Sequence, residues 1–227
     1  VLTVQDDVHA GLGSAAKRAQ IADWLSETKA DAVVLTALDS IAWTLNLRGS
    51  DVAHTPVALA YAIVDADGTA DLFVAPEKVT DAVRQHLGNA IRLHPRDAFA
   101  DALHAFAGKR IAADPERAVS AIFDSLSAGG ATVLPLRDPV VLAKAIKNPV
   151  EIGGHRSASA RDGAAVARFL RWVEAEAPKG GLTELSCVDR LQAFREETGV
   201  LLDTSFDTIS ATGAHGASPH YHSTPES

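Results

Sequence analysis

The sequence predicts an α/β fold built on a mixed sheet. Three observations carry that expectation. Helix-like and strand-like segments alternate through residues 1–140, the pattern of a layered α/β structure. The turn Asp65-Ala66-Asp67-Gly68 joins two apolar strand-like runs, so at least one strand pair is antiparallel. Beyond Asp138-Pro139 the strand signals fade and long helical periodicity takes over, so residues 1–140 and 141–227 are expected to be two different parts.

Taken in order, Ser14 is expected to cap a helix whose inward positions are Ile21, Trp24, Leu25 and Thr28. Residues 32–36 read as a short buried strand. A short helix follows, with Asp39 as its cap and Gly49 at its end, and the turn after it holds Arg48 and Asp51, expected to form an ion pair or to receive a ligand carboxylate. Residues 56–64 and 69–74 are the two hairpin strands. The positive φ that Asp-Gly supplies turns one into the other. Further strands are expected at 90–93, 109–113 and 131–134, separated by helices at 76–87, 97–107 and 115–127.

The second part opens on Asn148-Pro149-Val150-Glu151. Asn caps, Pro occupies the first helical position, and Glu reaches back to the cap. Helical spacing holds through Ile152, Ser159, Val166, Phe169, Leu170 and Val173 until Pro178-Lys179-Gly180-Gly181 stops it, a helix of roughly 43 Å at ~1.5 Å per residue. A second helix follows Thr183, with Leu185, Val188, Leu191 and Phe194 inward and Gly199 closing it. Residues 201–210 read as extended, and 211–219 as a Gly-rich turn.

Composition narrows the function. The chain has 227 residues, 47% hydrophobic and 22% charged, as in ordinary globular proteins and unlike disordered ones. Its formal charge of −8, from 21 Lys+Arg against 29 Asp+Glu, argues against nucleic-acid and anionic-membrane partners. No apolar run approaches the ~20 residues that span a bilayer. The one cysteine, Cys187, excludes an internal disulfide, fits a reducing compartment, and reads as a small buried hydrophobe. The absence of methionine and the start on Val1 point to a partial or processed chain.

Nine histidines are present, six of them scattered (His9, His54, His86, His94, His104, His155) and expected to be surface or locally satisfied groups. The cluster of His215, His220 and His222 differs. In an extended segment, His220 and His222 share one face, and His215 reaches them across the glycine turn, an arrangement that either binds metal or does not. Glu226 is the only nearby carboxylate. Gly213–Gly216 lacks the strand-to-helix setting of a dinucleotide loop, and no serine sits in a nucleophile elbow.

The particular strings say more. Thr36-Ala37-Leu38-Asp39-Ser40-Ile41-Ala42-Trp43, then Asn46-Leu47-Arg48-Gly49-Ser50-Asp51, Pro56-Val57 and Tyr61-Ala62, closely resemble the middle domain of three-domain Xaa-Pro aminopeptidases (aminopeptidases P). Lys144-Ala145-Ile146-Lys147-Asn148 with Glu151 resembles the entry to their catalytic domain. Asp162-Gly163-Ala164-Ala165, Trp172, Thr183-Glu184, Phe194-Arg195, Asp207-Thr208-Ile209-Ser210, Gly213, Gly216-Ala217 and His220-Tyr221 continue the match in order.

The resemblance implies a mixed-sheet creatinase-N-terminal-like domain over 1–140. It is followed over 141–227 by the opening helices of an α+β pita-bread catalytic domain. It implies hydrolysis of the N-terminal Xaa-Pro bond of peptides with proline in second position, by a hydroxide held between two divalent metals, manganese by family type. A cytoplasmic homodimer is implied as well. The family's five metal ligands all follow the His-Tyr motif, so this segment is expected to bind no metal. The resemblance gives His220 a catalytic, substrate-contacting role without metal ligation. His222 departs from the pattern, since a small residue commonly follows His-Tyr. The alternative reading is a non-catalytic peptide-binding or dimerisation module. Accordingly, residues 1–227 alone should release no residue from an Arg-Pro peptide in the presence of manganese, and metal-dependent release would contradict this reading.

Overall fold

The computed structural model describes residues 1–225. Its elements are β1 (Thr3–Val4), α1 (Asp7–Ala10), α2 (Ser14–Thr28), β2 (Ala32–Leu35), α3 (Leu38–Leu45), β3 (Leu47–Arg48), β4 (Ala60–Asp65), β5 (Ala70–Val74), α4 (Asp81–Leu87) and β6 (Ile91–His94). There follow α5 (Phe99–Ala102), β7 (Arg110–Ala113), α6 (Ser120–Ala128), β8 (Thr132–Pro135), α7 (Val140–Ala145), α8 (Pro149–Glu176) and α9 (Glu184–Glu196). Two compact units divide the chain, Val1–Glu151 and a second beginning at Ile152. The change of character near Asp138-Pro139 thus falls inside the first unit. There Asp114 accepts from the Asp138 amide, and Asp138 in turn accepts from that of Val140, both at 2.8 Å.

In the first unit six strands pair in the order β6-β5-β4-β2-β7-β8. The pairs β2–β4 and β4–β5 are antiparallel and the others parallel, the mixed sheet expected. The β4–β5 hairpin turns where Asp-Gly stands: Gly68 has φ +80, its N–H donates to the Asp65 carbonyl at 2.9 Å, and Asp67 accepts from the Thr69 amide at 2.8 Å. All four residues of β2 are buried, so it reads as a continuous apolar run rather than an alternating one. Alternate side chains still go to opposite faces. Val33 and Leu35 pack with Leu25, Leu45 and Leu72 on one side, and Ala32 and Val34 with Ile63, Phe73 and Ile111 on the other.

Several local expectations are corrected. Gly13, not Ser14, occupies the cap position of α2, and Ser14 is the first helical residue with its hydroxyl buried. Residues 76–87 do not form one helix. A 3-10 turn over Pro76–Lys78 is followed by an extended Val79, and α4 starts afresh after the Thr80 cap, whose hydroxyl accepts from the Val83 amide. Only Phe99–Ala102 of 97–107 is α-helical, between 3-10 turns. The helix at 115–127 begins at Ser120, since Asp114 draws the Glu116 amide into a turn at 2.8 Å. Asp39 does not cap α3; it lies in the first turn and pairs with Lys144, while Asn46 in the left-handed region ends the helix. Arg48 and Asp51 are not partners. Asp51 takes Lys78 and the Leu59 amide, each at 2.7 Å, and Arg48 donates to the carbonyls of Leu47 and Ala42.

One buried charge organises the N-terminal edge of this unit. Lys17, 2% exposed, donates to Asn46 Oδ1 at 2.6 Å and to the Trp43 carbonyl at 3.0 Å, with its ammonium 4.3 Å from the Trp43 ring centre. Asn46 passes its own amide protons to the Leu12 carbonyl and to Asp7. Asn148 closes the same edge. Its Nδ2 donates to the Ala10 carbonyl, and its Oδ1 accepts from the Val150 and Glu151 amides at 3.0 Å. Glu151 returns a bond to the Asn148 amide at 2.9 Å, the capping box expected at the start of α8.

In the second unit α8 and α9 pair through Phe194, whose ring lies under the guanidinium groups of Arg168 and Arg190 at 4.4 and 4.2 Å. Arg195 holds Asp162 at 2.7 Å, and Arg168 holds Glu197.

Burial lowers the Lys17 ammonium from 10.5 to about 8, although the Glu151 carboxylate pulls the other way. The unfolded chain keeps this proton up to ~10.4, so unfolding takes up a proton between pH 8 and 10.5 and stability rises with pH across that window. Denaturant titrations of the wild type should therefore gain stability relative to Lys17→Met from pH 8 to 10.5. A pH-independent difference between the two would contradict a titrating buried lysine.

Candidate functional site

The first turn of α9 sets the geometry. Thr183 Oγ1 accepts from the Ser186 amide at 3.1 Å, and the Thr183 amide donates to Ser186 Oγ at 2.9 Å, a reciprocal cap that fixes the helix start. Glu184 is the next residue, 6% exposed, and a carboxylate so placed must find donors. It finds three. Tyr221 Oη donates to Oε2 at 2.6 Å, and the Thr212 amide to Oε1 at 2.7 Å. His215 Nδ1 lies 3.1 and 3.3 Å from the two oxygens. A carboxylate only accepts, so this nitrogen carries a proton. The His215 ring also stacks on Tyr221, centroids 4.6 Å apart and planes 20° from parallel. The Tyr221 hydrogen bond above all holds the Glu184 carboxyl below the usual carboxylate range, with the Thr212 amide and His215 acting the same way against burial. The start of α9 adds to this, because a helix N-terminus favours negative charge.

The histidine cluster is rearranged relative to the sequence expectation. His220 has φ +59, in the left-handed region, so 220–222 is not extended backbone and the alternation that would align His220 with His222 does not apply. His215 turns to Glu184 instead of toward the other two. His220 and His222 are both exposed, and Glu226 lies outside the described residues. Among the described residues no group of three or more His, Cys, Asp or Glu side chains could hold a metal ion.

Elsewhere, His86 Nε2 donates to the Leu45 carbonyl at 2.9 Å, and His94 sits 2.6 Å from Asp71 and stacks on Phe73. These two are locally satisfied. Cys187 is half-buried, and burial pushes its thiol up. The residue that sequence reasoning assigned no role is Glu184. It stood in the family string Thr183-Glu184, as Tyr221 stood beside His220, but nothing local marks the two as partners.

Comparison with known proteins gives this geometry its setting. Residues 1–151 match the Creatinase/Prolidase N-terminal domain, and residues 153–227 match metallopeptidase family M24. Aminopeptidase P2 of Arabidopsis thaliana is 38% identical over 257 residues, spanning 100% of this chain and 36% of the plant protein. The probable Xaa-Pro aminopeptidase P of Aspergillus clavatus is 38% identical over 228 residues, spanning 96% of this chain and 34% of its own. The chain therefore spans about a third of the length of these curated relatives. The X-prolyl aminopeptidase of Caenorhabditis elegans, described as a cytosolic enzyme with a di-nuclear active site, superposes with a TM-score of 0.90 at 32% identity. That match covers 99% of this chain and 38% of the other. The Pyrococcus furiosus prolidase, at 18% identity and a TM-score of 0.63, supports the fold alone. With residues 1–151 of the 227 matched, the chain belongs to the Creatinase/Prolidase N-terminal domain family.

Proposed function

We propose that this chain is part of an Xaa-Pro aminopeptidase, a hydrolase that removes the first residue of peptides with proline in second position. The observation that carries the proposal is the superposition on the C. elegans X-prolyl aminopeptidase over 99% of the chain, since a fold match of that extent at 32% identity includes the segment around His220. Residues 1–140 serve as the creatinase-like middle domain, and 141–227 as the entrance of the pita-bread catalytic domain. Two divalent metal ions, manganese in our reading, act in the complete enzyme, and the di-nuclear site of the C. elegans protein supports the pair. The cytosolic description of that protein supports a cytoplasmic location, and no helix among the described residues is long and apolar enough to cross a membrane. A homodimer rests on the family resemblance.

Within this segment His220 carries the chemistry. It is exposed and makes none of the Glu184 contacts, and histidine is the side chain most often used for general acid–base catalysis. It donates a hydrogen bond to the substrate beside the scissile bond and assists proton movement there.

Two measurements on the full-length protein test this. Incubated with an Arg-Pro peptide and manganese, it should release the first residue, whereas peptide binding without release would favour the non-catalytic module. His220→Ala should lower kcat/KM by on the order of 10²-fold or more while leaving metal content unchanged. Loss of about one equivalent of metal would instead make His220 a ligand and refute the assignment.

A further inference from the structure

Residues 212–221 carry only one short 3-10 turn, Gly213–Ala217, and most of the segment is exposed. A segment of this kind holds one conformation only where something ties it down. The ties converge on one carboxylate. The Thr212 amide reaches Glu184 just before the turn, His215 reaches it from within the turn, and Tyr221 reaches it just after. Glu184 is itself on the capped first turn of α9, so its backbone is fixed before it meets the segment. The stacked His215 ring restricts the Tyr221 ring further. His220 lies directly between this anchor and Pro219, with a left-handed φ that non-glycine residues rarely adopt and that persists only where the surroundings over-determine it.

We infer that Glu184 is a positioning residue for the reaction: by gripping Thr212, His215 and Tyr221 it sets the backbone from which His220 meets the substrate. The inference rests on the proposed role of His220. Glu184 is buried and both its oxygens face donors of the 212–221 segment, so it acts through that segment and not on the substrate itself. Tyr221 is the nearer link, adjacent to His220 in the chain. Its ring could remain stacked without its hydroxyl, but it would no longer be pinned to α9.

The test uses the full-length enzyme with an Arg-Pro peptide and compares Glu184→Gln, Tyr221→Phe, His220→Ala and the double variants with His220→Ala. The amide of Glu184→Gln offers one accepting oxygen in place of two, and Tyr221→Phe removes one donor while keeping the ring. Either change should lower kcat by about 10- to 10²-fold, the scale of a misplaced catalytic group, with full metal content. KM should rise by less than kcat falls, since the His220 contact with the substrate matters more in the transition state than in the ground state. On the His220→Ala background neither change should lower kcat further, because both act through the same imidazole.

Wild-type kcat in both Glu184→Gln and Tyr221→Phe would overturn the inference. So would an undiminished further loss on the His220→Ala background, which marks a general structural role. Failure of the underlying reading looks different. An inactive wild-type enzyme, or His220→Ala with wild-type turnover, removes the role of His220 and overturns this inference with it. If Glu184→Gln fails to fold, Tyr221→Phe and its double variant decide alone.

Discussion

A carboxylate taken out of water must be surrounded by donors, and that constraint shapes the second unit around Glu184. Its donors are a backbone amide, an imidazole N–H and a phenol, all from the 212–221 segment. Each bond to an ionised group is stronger than its neutral counterpart. Together they convert a stretch with little regular structure into one with a defined path. The consequence reaches function through the chain itself, since His220 is bonded to the residue whose side chain Glu184 holds.

The first unit solves a parallel problem with the opposite sign. Lys17 is almost wholly buried and is satisfied by an amide oxygen, a carbonyl and an aromatic face. The residue that receives it, Asn46, sits in the left-handed conformation that ends α3 and relays the contact to Asp7 and Leu12. Removing one partner from such a set leaves a buried group unmatched, which costs more than the bond itself contributed. The apolar sheet supplies the bulk of the burial, with two faces of alternating side chains and core on each. The buried charges determine how particular loops are joined to it.

Local chemistry was legible in the sequence at several element ends, though the Thr80 cap and the Asp114 turn were missed. Asp-Gly specified the β4–β5 hairpin, Asn148 to Glu151 the start of α8, and Thr183 the start of α9. Partner choice across distance was not legible. Asp39 reads as a cap beside its own helix, yet it pairs with a lysine 105 residues away. Asp51 reads as the partner of nearby Arg48 but takes Lys78, 27 residues on. The donors of Glu184 lie 28, 31 and 37 residues from it, so no window of sequence displays the network. The histidine cluster was misjudged for a different reason. Alternation assumes extended backbone, and His220 has a positive φ. The strings shared with Xaa-Pro aminopeptidases nevertheless included Glu184 and Tyr221.

Shape and chemistry meet at His220, and the claim that Glu184 presents this histidine to a substrate is the centre of the account. The most direct measurement is a crystal structure of the full-length protein with an uncleaved Xaa-Pro peptide analogue bound. The account predicts the His220 imidazole within about 3.2 Å of a polar atom of the analogue, with Tyr221 still donating to Glu184. A His220 nitrogen bound to a metal ion, or a Tyr221 hydroxyl turned away from Glu184 while His220 contacts the analogue, would contradict it.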